Sequence, residues 1–115
     1  MEKEESEQLL GQAQLYSQQM QNIVTQKTAL AIELSEIKRA LDEIKKTEEK
    51  SVFRLSGTIL INTDTEDVKK DLEEKENMLS LRAKTLEKQE ARVKERLEEL
   101  RTRLIKVPKA KASEE

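Results

Sequence analysis

Any chemistry in this 115-residue chain must come from carboxylates, lysines, hydroxyls or Tyr16, because the sequence has no histidine and no cysteine. Losing histidine removes the commonest general base and metal ligand together. Losing cysteine removes disulfides, thiolate metal sites and the thiol nucleophile. Carboxylates are plentiful, and Glu98-Glu99 is a neighbouring pair of the type used in acid–base catalysis. Such a pair needs a walled pocket to push its two pKa values apart. The chain has only one Tyr and one Phe with which to wall anything. No phosphate-cradling glycine loop, metal-ligand spacing or nucleophile elbow is present. The expectation is a protein that is not an enzyme and takes no cofactor or metal.

What the residues can do is bind through apolar surface, at two places. One is the mid-chain segment containing Val52, Phe53, Leu55, Ile59, Leu60 and Ile61. The other lies near the two ends, at Leu9, Leu10, Leu97, Leu100, Leu104, Ile105 and Val107.

The elements that position these residues follow from composition and spacing. Charged residues make up 40% of the chain and apolar ones 35%. That balance builds long helices that bury a narrow stripe, or else no fold at all. Periodicity decides for helices. In the first half Leu9, Ala13, Tyr16, Met20, Ile23, Leu30, Leu34, Ile37, Leu41 and Ile44 follow a heptad stride, with Lys27 filling the one skipped position. In the second half Leu72, Leu79, Leu86, Val93 and Leu100 recur every seven residues. Their companions three residues on are polar (Lys75, Arg82, Gln89, Arg96, Arg103), while Ala83, Leu97 and Leu104 appear four residues on.

Between the halves the β-prone run from Ser51 to Asn62 contains Ser56-Gly57, a plausible two-residue hairpin turn. Thr63 with Glu66 fits a capping box for the second helix, and Asp64 is a rival cap. A turn at Ser56-Gly57 places Leu55 opposite Thr58 and Phe53 opposite Leu60. Carried into the helices, the same register sets Leu41 against Leu72, Leu34 against Leu79, Met20 against Val93 and Leu9 against Leu104. The expected fold is mainly α: a long antiparallel two-helix coiled coil joined by a single β-hairpin, about 60 Å per arm at 1.5 Å per residue. Its limits are helix 1 over about 5–49, the hairpin over 51–62, helix 2 over 65–106 and a disordered tail over 107–115, all in one domain, 1–115.

Each end of this arrangement has a consequence. In the expected register Phe53, Leu55 and Leu60 share one hairpin face, and Val52, Ile59 and Ile61 share the other beside Arg54. A lone two-stranded ribbon is marginal in water and, apolar on both faces, hazardous. Each large side chain left wet forgoes about 1.5–3 kcal/mol. The hairpin is therefore expected to pair with strands of other chains; the competing reading is a loop tucked against the helix ends. At the far end the seam runs out of partners and terminal turns fray. Leu10 and Ile105 are expected to be exposed there. Leu9, Leu100 and Leu104 fit a core role and a role in holding apolar segments of non-native chains equally well. Several such tips on one base would bind multivalently.

Helix, single hairpin and helix is the layout of beta-class prefoldin subunits, and the likeness extends to residues. The hairpin from Val52 to Ile61 resembles that family's hairpin. Leu79-Ser-Leu-Arg-Ala-Lys-Thr-Leu-Glu-Lys-Gln-Glu-Ala-Arg-Val93 resembles the second helix of archaeal beta subunits. The resemblance covers residues ~5–105. It implies a hexamer of two alpha and four beta subunits whose hairpins form a β-barrel base. It also implies ATP-independent capture of unfolded polypeptides at the coiled-coil tips and their delivery to a group II chaperonin. The tip residues it would use are Leu9, Leu10, Leu100, Leu104, Ile105 and Val107.

The near-cancelling charge of 22 positives against 24 negatives makes nucleic acid a poor partner. No run approaches the ~20 apolar residues of a membrane span, and the first residues have no signal-peptide character. A cytoplasmic location is expected. The rival function is a structural coiled-coil adaptor that holds one folded partner.

Overall fold

The computed structural model describes the backbone of residues 2–114 and the side chains of residues 3–105. The order is α1 (Glu2–Lys46), β1 (Ser51–Ser56), β2 (Ile59–Asp64) and α2 (Thr65–Glu114). Helix 1 thus ends at Lys46, and residues 47–50 form an irregular connector where a longer helix was expected. α2 extends beyond residue 106. The tail expected over 107–115, like Val107, lies outside the residues whose side chains are described. Among the described residues, no helix is long and apolar enough to cross a membrane.

The helix ends are electrically matched to their dipoles. Lys45 and Lys46 occupy the last turn of α1, and Glu66 and Asp67 the first turn of α2. The Asp64 carboxylate accepts the Glu66 N–H at 3.3 Å, so Asp64 is the cap of α2. Thr63 is not: its hydroxyl donates instead to the Ile61 carbonyl. Thr25 and Thr102 donate back to carbonyls four residues earlier, Gln21 and Glu98, which satisfies their hydroxyls within the helix.

The chain divides into two compact units. One joins the chain up to Lys27 with the chain from Thr85 onward; the other runs from Thr28 to Lys84. In the first, Leu9 and Ile23 of α1 and Leu86, Val93 and Leu100 of α2 are buried. Ala13, Tyr16, Met20, Leu97 and Leu104 are half-buried around them. The polar break at Lys27 is answered within this unit, where its ammonium donates to a Glu90 carboxylate oxygen at 3.0 Å. In the second unit Leu30, Ile37, Leu41 and Leu79 are buried, and Lys75 pairs with Glu33 at 3.6 Å.

The second row of α2 is the one four residues on from the leucines. Glu76, Ala83, Glu90, Leu97 and Leu104 are all half-buried, while Lys75, Arg82, Gln89, Arg96 and Arg103 are exposed. Asp71 and Glu90 of α2 each pair with another element, Asp71 with Arg54 and Glu90 with Lys27.

β1 and β2 pair antiparallel, with Ser56 opposite Ile59, Leu55 opposite Leu60, Arg54 opposite Ile61, Phe53 opposite Asn62 and Val52 opposite Thr63. The turn residues are therefore Gly57 and Thr58, not Ser56 and Gly57. Gly57 takes φ +63° and no other described residue has positive φ. That is the type II′ pattern, which wants glycine at the first central position and matches the twist of the strands. The correction shifts partners by two residues and so leaves each side chain on its expected face.

Candidate assembly and polypeptide-binding surfaces

The hairpin surface is built by alternation. On one face Leu55 and Leu60 lie directly opposite each other beside Phe53. On the other, Ile59 and Ile61 accompany Val52 and Arg54. Phe53 and Leu55 are 71% and 70% exposed, Leu60 and Ile59 65% and 59%, and Ile61 45%. Val52 alone of the six is half-buried. The face that carries Val52 also carries Arg54, whose guanidinium donates to the Asp71 carboxylate of α2 at 3.1 Å. Behind this lies a groove of about 500 Å³ lined by Ala40, Ile44, Val52, Val68, Leu72 and neighbouring residues. The helices thus cover part of the hairpin and leave most of its apolar surface in water. The reading of a loop tucked against the helix ends is not what this exposure describes.

At the terminal ends of α1 and α2 the candidate residues separate into two sets. Leu9 and Leu100, each 5% exposed, are seam residues. Leu104 is half-buried. Leu10 and Ile105 are more than half exposed. Leu15 is equally exposed and was missed, as were Val24, Ile32, Met78 and Leu81. The signal for them was available: each is a large apolar residue that falls off the heptad stride, where a solvated helix face would carry a polar one.

Among the described residues, no group of acidic side chains is placed to hold a metal ion. A hollow of about 740 Å³ at the foot of the hairpin is lined by a mixture of Lys45, Lys50, Lys69, Glu48, Glu49, Asp64 and Glu66 with a few neutral side chains. Glu98 and Glu99 are both exposed. What the geometry offers is apolar contact at the hairpin and at the free helix ends.

A coiled-coil helix pair with an apolar ribbon at one end defines a class of non-covalent binding and assembly modules, and comparison with known proteins narrows the class. The model of the prefoldin subunit family matches residues 7–110. The prefoldin beta subunit of Thermococcus onnurineus is 41% identical over 93 residues, 80% of each chain. That of Archaeoglobus fulgidus is 35% identical over 97 residues, 84% of each. The crystal structure of the prefoldin beta subunit from Thermococcus strain KS-1 superposes with a TM-score of 0.79 at 36% identity, covering 87% of this chain and 89% of that one. The chain belongs to the prefoldin subunit family, a family of chaperone components, and its likeness is to the beta subunits.

Proposed function

We propose that this chain is one subunit of a cytoplasmic, ATP-independent holdase. Hairpins of several subunits join through Val52, Phe53, Leu55, Ile59, Leu60 and Ile61 into a β-barrel base. Two alpha-type and four beta-type subunits make up the complex. Non-native polypeptides are held at the tips by Leu10 and Ile105, with Leu9, Leu100, Leu104 and Val107 contributing as the last turns open, and are passed to a group II chaperonin.

The observation that carries this reading is the exposure of five large apolar side chains on both faces of one ribbon. Removing such surface from water is worth about 25 cal/mol per Å². Two strands with free edges have backbone donors and acceptors ready to extend a sheet. Family membership supports the chaperone role; exposed Leu10 and Ile105 support the tips as its site.

The test combines assembly and protection. The full chain, mixed with an alpha-type prefoldin subunit from the same source, is expected to form a hexamer by native mass spectrometry. That hexamer is expected to suppress aggregation of several unrelated unfolded substrates without ATP. Phe53→Asp with Ile59→Asp is expected to abolish assembly while leaving helicity largely intact. Protection of no substrate, with tight binding of a single folded partner, would favour the adaptor instead.

A further inference from the structure

The joint between hairpin and helices turns on one residue. β2 passes into α2 with no connector: Asp64 ends the strand and Thr65 begins the helix. β1 is reached from α1 through the irregular residues 47–50, which have no repeating hydrogen-bond pattern to hold them. Thr65 lies against that slack segment. It is 7% exposed and is the one buried polar residue among those described. Its main-chain N–H donates to the Lys50 carbonyl at 2.9 Å, and its hydroxyl donates to the Glu49 carbonyl at 2.7 Å. The first bond satisfies an N–H that the first turn of a helix cannot pair within itself. The second satisfies a connector carbonyl and fixes a hydroxyl that would be costly to bury unpaired.

The other bonds near the joint do less to orient the hairpin. The Thr47 N–H reaches back to the Glu43 carbonyl and ties the start of the connector to α1, while the Glu49 N–H reaches the Thr47 hydroxyl within the connector; neither reaches the hairpin or α2. The Arg54–Asp71 pair does cross to α2, but both side chains are more than half exposed, where an ion pair is worth little. The seam residues Ile44 and Leu72 line a groove together with Val52, an apolar contact without the directionality of a hydrogen bond.

We propose that Thr65 is a positioning residue for assembly. Its two bonds pin the entry of β1 to the start of α2, and so set the direction in which the apolar faces of the hairpin meet neighbouring subunits. This rests on the reading that the hairpin is the assembly module. A ribbon hinged at an unpinned connector would sample many angles, and association would have to select the competent one.

The experiment uses the full chain carrying Thr65→Val, which keeps the shape and removes the donor, with Thr65→Ser as the rescue. Each is titrated with the alpha-type subunit and followed by sedimentation and native mass spectrometry, with circular dichroism of the unmixed chain alongside. Thr65→Val is expected to raise the concentration for half-assembly ~tenfold or more. Helicity and melting of the helix pair stay as in the parent, and Thr65→Ser returns assembly to within about twofold. Assembly of Thr65→Val at the parental concentration, with Phe53→Asp/Ile59→Asp still blocked, overturns the role of Thr65 and leaves the assembly reading standing. Loss of helicity in parallel with assembly makes Thr65 a general folding residue and also overturns the proposal. Failure of the parent to assemble, or unimpaired assembly of the Asp double variant, removes both.

Discussion

Lys27 occupies a seam position that a leucine or isoleucine would fill, and it is tolerated because Glu90 meets it at 3.0 Å with both side chains about one-third exposed. A polar residue at a seam position fixes register at a cost in stability. Replacing a partly buried ion pair by packed apolar atoms is often stabilising. Lys27→Leu is therefore expected to raise the thermal midpoint by about 3–6 °C and to make it less sensitive to salt, since Glu90 keeps access to water. An unchanged midpoint with unchanged salt dependence would show that the pair contributes nothing. Leu100 and Ile105 give a second contrast. Leu100→Ala removes a buried side chain and is expected to cost about 2–3 kcal/mol of coil stability in denaturant melts. Leu10→Ser with Ile105→Ser removes exposed ones, and is expected to leave the melt within about 0.5 kcal/mol while lowering protection of unfolded substrates. The residues of the seam were legible because burial in a coiled coil is written in stride: among the described residues, all nine buried apolar side chains fall at positions the heptad predicts. The partner of Lys27 was not, because Glu90 lies in the second row of α2, where the sequence mixes polar and apolar residues and leaves the row three or four residues on undecided.

At the scale of elements, the hairpin was legible in place and in faces and mistaken in its turn. Ser56-Gly57 and Gly57-Thr58 both offer a glycine with small polar neighbours. Composition does not say which central position takes positive φ; the twist of the strands does, and it puts Gly57 first at +63°. Gly57→Ala meets no steric obstacle, since nothing lies within 4 Å of the added carbon. Its cost is backbone strain alone, about 1 kcal/mol, and is expected to appear as weaker assembly with unchanged helicity. Full assembly of Gly57→Ala would show that the turn has slack. The cap of α2 is one of the two candidates that local spacing offered, Asp64, but the end of α1 and the joint were read less well because the bonds of Thr65 to Glu49 and Lys50 join residues 16 and 15 positions apart. Local capping rules see Thr63, Asp64 and Glu66 but cannot see a carbonyl on another segment.

At the scale of the whole molecule, the site was legible as a need rather than as a geometry. Six large apolar residues around one glycine demand cover that two helix ends do not provide, and the exposed Phe53, Leu55, Ile59, Leu60 and Ile61 are that unmet demand. Family membership names the kind of complex that meets it. If the tips hold clients, deleting residues 107–115 is expected to reduce protection less than Leu104→Ser with Ile105→Ser; equal losses in light-scattering assays would move the contact into the terminal residues.

Arg54, beside Asp71 of α2, marks one face of the ribbon with a charge. A neighbour seated so that it covered this guanidinium along with Ile59 and Ile61 would have to seal a charge in an apolar layer, at a penalty of several kcal/mol. Insertion upside down is thereby discouraged before any other contact forms. Arg54→Leu removes this sense of orientation, and mass spectra of its mixtures are expected to broaden into a spread of stoichiometries where the parent gives a single one.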